Sequence, residues 1–167
     1  MNTLRRLVCL LVLAPILAAC ETTSIFHGNP DEASPSAGDF TESPSPLVGS
    51  EFDALWDRTE HVLGMEGYGV DRDRTSYAEH RMVTHWDTLL APTRFEGKRN
   101  RAWVQFRQAK PGAWIVGVAV QVQRNADIDM PSAESQAQWE DTAGNAARAG
   151  VILWKIESGL RAEGETK

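Results

Sequence analysis

Few side chains in this sequence could do chemistry, and none falls at a spacing that a reaction needs. His80 and His85 lie five residues apart, with Glu79 and Asp87 nearby. On a strand, opposite parity aims two side chains at opposite faces, which defeats shared metal ligation. They read as solvated or hydrogen-bonded histidines. Asp127 and Asp129 could offer oxygens to calcium, but the glycine and distal glutamate of an EF-hand loop are missing. Asp71-Arg72-Asp73-Arg74 alternates in charge, a pattern that makes surface ion pairs of small worth. No serine stands in a Gly-x-Ser-x-Gly turn. The residues call for no metal and no cofactor, and they argue against an enzyme.

The sulfur of Cys20 is different because of what precedes it. Met1 to Arg6 carries Arg5 and Arg6 and no acid, and Leu7 to Leu17 is apolar with Pro15 inside it. That run has the length of a signal-peptide core and falls short of the roughly 20 apolar residues of a membrane-crossing helix. Leu17-Ala18-Ala19-Cys20 then resembles the bacterial lipobox. The resemblance implies a diacylglyceryl group on the Cys20 thiol, cleavage just before it, and acylation of the new amino group. An ordinary signal peptide cut after Ala-x-Ala, with Cys20 a bystander, is the alternative. Leu7-Val8-Cys9 after the paired arginines does not fit a twin-arginine signal. Acyl chains contribute about 0.8 kcal/mol per buried methylene, so two or more hold stably where one is reversible. Glu21 stands where aspartate favours inner-membrane retention in enteric lipoproteins, which points to the periplasmic face of the outer membrane.

Removing residues 1 to 19 removes two arginines and no acid, and the formal charge goes from -6 to -8. Such acidity makes a poor nucleic-acid binder and argues against adhesion to anionic lipid through a basic patch. Cys9 leaves with the leader and Cys20 is taken by lipid, so no disulfide remains and stability must come from a core. Residues 20 to 49 are rich in Ser, Pro, Gly and acids and read as a flexible tether of about 30 Å reach. Residues 50 to 162 form the domain, and 163 to 167 a disordered tail.

Ser50 and Asp53 open a helix over 51 to 64 with a capping-box spacing. Phe52, Leu55, Trp56, Thr59, Val62 and Leu63 share one face, and Gly64 and Gly67 end it. Strands are expected at 68 to 72 and 77 to 87, then a loop marked by Ala91-Pro92-Thr93 and Gly97. From 101 to 109 the pattern alternates: Ala102, Val104 and Phe106 on one side, Arg101, Trp103, Gln105 and Arg107 on the other. After the Lys110-Pro111-Gly112-Ala113 turn, Trp114, Val116, Val118, Val120 and Val122 form an apolar face, which makes an antiparallel hairpin. Residues 125 to 142 read as a loop with a helical turn near Trp139, and 145 to 161 as a second helix. The sum is an α+β domain: a small antiparallel sheet of about four strands, with both helices packed on one face.

Phe-x-x-Leu-Trp in the first helix, Gly67-Tyr68-Gly69-Val70-Asp71-Arg72-Asp73-Arg74, the strands and the final helix together resemble the small domains of BamC-type outer-membrane assembly lipoproteins. They resemble equally a group of lipoproteins abundant in planctomycetes. The resemblance implies a helix-grip fold, no catalysis and protein contacts in the envelope.

Among six tryptophans, Trp103 stands on the polar side of its strand with Arg101, Gln105 and Arg107. Aromatic and arginine residues on an open sheet face suit a protein or glycan interface, and these four are the candidate contact residues. Cover by a loop such as 125 to 142 is the competing reading. The expected function is a lipid-tethered, non-enzymatic scaffold or interaction domain meeting envelope proteins or peptidoglycan. A small-ligand binder using the helix-sheet crevice is the alternative, and a hydrolase is third.

Overall fold

A computed structural model describes residues 33–48, 51–91, 96–126 and 137–164. It is an α+β fold with two helices and an antiparallel sheet of seven strands among the described residues. Cys20 and the leader lie outside the described residues, as do Ser50, Asp127 and Asp129.

The first helix, α1 (Phe52–Met65), buries Leu55, Trp56, Thr59, Val62 and Leu63, as the spacing requires. Glu51 is its N-cap and makes no side-chain cap bond, while Asp53 accepts a hydrogen bond from the Tyr77 hydroxyl. Gly64 stays inside the helix. Gly67 ends it at φ +86°, where the Gly67 amide donates to the Gly64 carbonyl and the Tyr68 amide to that of Leu63. That paired closure uses the left-handed conformation that glycine adopts without a Cβ clash.

The strand expected at 68 to 72 is reduced to a single bridge between Val70 and Thr84. The Asp71 carboxylate takes the amides of Asp73 and Arg74 at 3.1 and 3.3 Å, and that local bonding competes with a ladder. The strand expected at 77 to 87 is split into β3 (Arg81–Val83) and β4 (Asp87–Ala91). His80 breaks its start, with φ at 53° and its ring against Phe52 and Trp114. His85 lies apart, exposed, with Nδ1 3.7 Å from Asp71.

The hairpin is longer than its alternating sequence indicates: β5 (Glu96–Lys110) and β6 (Ala113–Asn125), turning at Gly112 with φ +71°. Gly97, expected in a loop, pairs with Leu90 inside the sheet. The β5 outer edge takes β3 and then β4. The β6 outer edge takes three short strands: β2 (Leu47–Val48), β1 (Thr41–Glu42) and β7 (Trp139–Asp141). Seven strands therefore occupy four positions across, because both edges are assembled from fragments. The second helix, α2 (Ala146–Gly164), is capped by Asn145, whose Oδ1 accepts from the Arg148 amide at 3.0 Å.

The expected tether of 20 to 49 is shorter than its composition indicates, because 33–48 belongs to the domain. Its few apolar residues could not fold alone, but they dock on a sheet already formed: Leu47 packs on the main cluster and Phe40 on a second one. Ser43 donates its amide to the Val116 carbonyl at 2.8 Å and accepts the Val116 amide on its hydroxyl at 3.2 Å. The main cluster joins Leu55, Trp56 and Leu63 of α1, Ile152 and Ile156 of α2, and Val104, Phe106, Val116 and Val118 of the hairpin.

Glu66, just past α1, ties the helices together. Its side chain is nearly buried and receives Lys155 and, at 2.8 Å, Arg148. The Lys155 hydrogen bond holds its carboxyl below the ordinary carboxylate range against the opposing pull of burial, with the charges of Arg148 and Lys155 adding to the lowering. A depressed folded value gives stability that is present above the ordinary carboxylate range and lost as pH falls through the lowered one. Glu66→Gln is expected to flatten the acid limb of a stability-versus-pH curve. An unchanged slope in acid denaturation would rule that role out.

Candidate interaction face

The side of β5 away from Ala102, Val104 and Phe106 carries Arg99, Arg101, Trp103, Gln105 and Arg107. The register sets Gln123, Gln121, Ala119, Gly117 and Ile115 across from them in turn. Trp86, between β3 and β4, and Trp139, at the start of β7, add two more rings. The Arg99 guanidinium lies 4.5 Å from the Trp86 centroid and 4.5 Å from that of Trp139. Arg101 lies 4.4 Å from Trp86 and 5.0 Å from Trp103. Rings and cations thus alternate as Trp139, Arg99, Trp86, Arg101, Trp103. A planar, weakly hydrated guanidinium is the cation suited to lie between indoles.

The glutamines opposite take the in-plane donors. Arg99 Nε donates to Gln123 Oε1 at 2.8 Å, and Gln123 Nε2 passes the chain on to Asp141 at 2.8 Å. Arg101 Nε and Trp103 Nε1 both donate to Gln121 Oε1, each at 2.7 Å. Arg101 Nη2 and Gln121 Nε2 then share the Ala33 carbonyl at 3.1 and 3.0 Å.

This row corrects the expectation of an open face. Arg101 is 1% exposed and Trp103 5%, while Gln105 and Arg107 remain exposed. The cover is the segment 33–42, which crosses the sheet. Phe40 packs with Val83, Trp103 and Ala119 and lies over Gly117, where an added Cβ would meet it at 3.4 Å. Arg107 reaches Glu42 at 3.3 Å. The loop expected to do the covering contributes Trp139, at the far end of the row. Trp56 and Trp114 lie in the core, as their positions on apolar faces indicate, and Trp154 is 64% exposed. Phe40→Ala is expected to loosen this crossing segment and to cost about 2 kcal/mol, less than truncating a fully buried aromatic because the ring is only partly buried. Hydrogen exchange over 40–48 would rise; unchanged protection would show that the ring does not hold the segment down.

The space between α1 and the sheet is taken by the main cluster, so the crevice expected there is filled. A cavity of about 450 Å³ lies instead at the β6 edge, between Ala33–Asp39, β6 and the start of α2. Asp39 lines it, its carboxyl held below the ordinary range by the Ser36 hydroxyl and amide. Among the described residues, no three of His, Cys, Asp and Glu converge as a metal site would require. A scan against protein-family models and a search of curated proteins both returned no match to this chain.

Proposed function

We propose that this is a lipid-anchored, non-enzymatic envelope protein whose domain serves as an interaction or assembly module. The observation that carries the reading is the run Leu17-Ala18-Ala19-Cys20 behind a basic start and an apolar core. Acylation there places the chain at a membrane, with Glu21 favouring the periplasmic face of the outer one. We read the helices as sharing one face of the sheet in a helix-grip-like layer, which resembles a single BamC-type domain.

The contact surface in this reading is the exposed remainder of the ladder face. Gln105 and Arg107 border a groove of about 190 Å³ with Phe40, Glu42 and Ile115. An exposed arginine beside apolar walls and a rigid sheet suits a partner protein's polar rim and apolar anchor. Photo-crosslinking amino acids at 105 and 107 in living cells, with 72 as control, test this. One envelope partner captured from both positions and not from 72 supports it. Adducts equal at all three would refute the assignment.

A ligand-binding reading is favoured by one observation, the 450 Å³ cavity at the β6 edge, which falls in the size range of small-molecule sites. Native mass spectrometry of protein taken from its own membrane would show the added mass; a bare chain would remove this reading.

A further inference from the structure

α2 presents two faces. Ala149, Ile152, Leu153 and Ile156 are buried in the core. Ala147, Val151 and Trp154 recur at helical spacing on the opposite side and are exposed, Val151 by 43% and Trp154 by 64%. Cations border one side of this stripe: Arg148 and Lys155 have side chains 39% and 43% exposed. Their shared anion, Glu66, is only 6% exposed, so the surface there carries two positive heads over one buried negative charge. The net chemistry is an exposed indole and an aliphatic chain, bordered on one side by cations.

That combination suits the boundary between lipid headgroups and acyl chains. An indole places its apolar body in the chains and its N–H in the headgroup layer, and lysine and arginine attract anionic phosphates. Ala33 lies on the other face of the sheet, bonded by Arg101 and Gln121, but at the β6 edge, within reach of the start of α2. Ala33, the first described residue, lines the same cavity as Asn145 and Ala146 at the start of α2. Trp154 lies eight residues further along the helix, about 12 Å at 1.5 Å per residue. The chain from Cys20 to Ala33 spans at most about 45 Å, at roughly 3.5 Å per residue, so an acylated Cys20 can leave α2 against the bilayer. Tethering raises the local concentration of surface enough for a small contact to persist.

We propose that the outer face of α2, with Val151 and Trp154 at its centre and Arg148 and Lys155 at its border, rests on the membrane to which the chain is tethered; this rests on the proposed anchor. The mature chain would be reconstituted on vesicles of phosphatidylethanolamine and phosphatidylglycerol, with and without brominated acyl chains. Bromine quenches only indoles that enter the lipid. One of six tryptophans doing so predicts a loss of about one sixth of the emission, and Trp154→Phe should abolish that loss. Replacing phosphatidylglycerol by phosphatidylcholine should weaken the quenching. Sedimentation with the vesicles reads the anchor separately. The mature chain carrying an N-terminal histidine tag on nickel-chelating lipid reads the α2 face whatever the acylation result. Absence of quenching in vesicle-bound protein, or equal quenching in Trp154→Phe, would overturn the proposal.

Discussion

Cys20→Ser is expected to move the chain from the membrane to the soluble fraction and to abolish its labelling by palmitate. Serine keeps the size of the residue but supplies an alcohol in place of the sulfur that accepts the diacylglyceryl group. The effect is close to all or none, because the anchor's strength is the summed burial of its methylenes at about 0.8 kcal/mol each. The domain should be untouched: among the described residues Ala33 is the first bonded to the sheet, and the change lies 13 positions before it. Equal unfolding midpoints with different fractionation are therefore the expected pair of results. Labelling that survives the substitution would refute Cys20 as the site of acylation.

Arg101→Ala should destabilise the domain by about 3 kcal/mol, whereas Arg107→Ala should change stability by less than about 0.5 kcal/mol. The two arginines share a strand and a face, yet their surroundings differ. Arg101 is almost wholly buried between the Trp86 and Trp103 rings, with Nε on Gln121 and Nη2 on the Ala33 carbonyl. Truncation opens a gap between two indoles and strips buried acceptors of a charged donor. Arg101→Lys should recover only part of the loss, since an ammonium is not planar and cannot supply the same forked donors. Arg107 keeps only its exposed pair with Glu42, a type of contact worth little. Denaturant titration of the three variants decides the matter. A loss below 1 kcal/mol in Arg101→Ala would mean that the row is not a structural element.

Where one period dominated, the fold was legible in the sequence. Leu55, Trp56, Val62 and Leu63 fall at helical spacing, and the helix is there. The alternation about Pro111-Gly112 names the correct inward residues of both hairpin strands. The edges were not legible. Thr41–Glu42 and Leu47–Val48 are too short to show a period, and they lie in a stretch whose Ser and Pro content resembles a linker. Their pairing is imposed by the exposed edge of β6, a partner far away in the chain. The late start of β3, after His80, depends on a left-handed backbone held by ring contacts from α1 and β6.

The candidate face was half legible. Arg101 and Trp103 have the right parity and the right types, and Arg99 could have been added by carrying the alternation two residues back. Exposure was the error, because nothing local announces that Phe40 and Ala33 will lie over them. Trp86 and Trp139 sit in irregular stretches, where position along the chain says nothing about the cation they stack on.

The bonds from the Ala33 carbonyl reach residues 68 and 88 positions later, and Ser43 pairs 73 positions away. Contacts of such separation cost more closure entropy and form late. A segment made before the strands it docks on is thus among the last to find its place. Until it does, the hairpin stands with one rim unpaired and an indole bare, a sticky intermediate that other copies could capture. Yield on refolding should therefore fall steeply with protein concentration, and a peptide of residues 33–48 added in trans should raise it by covering the open rim.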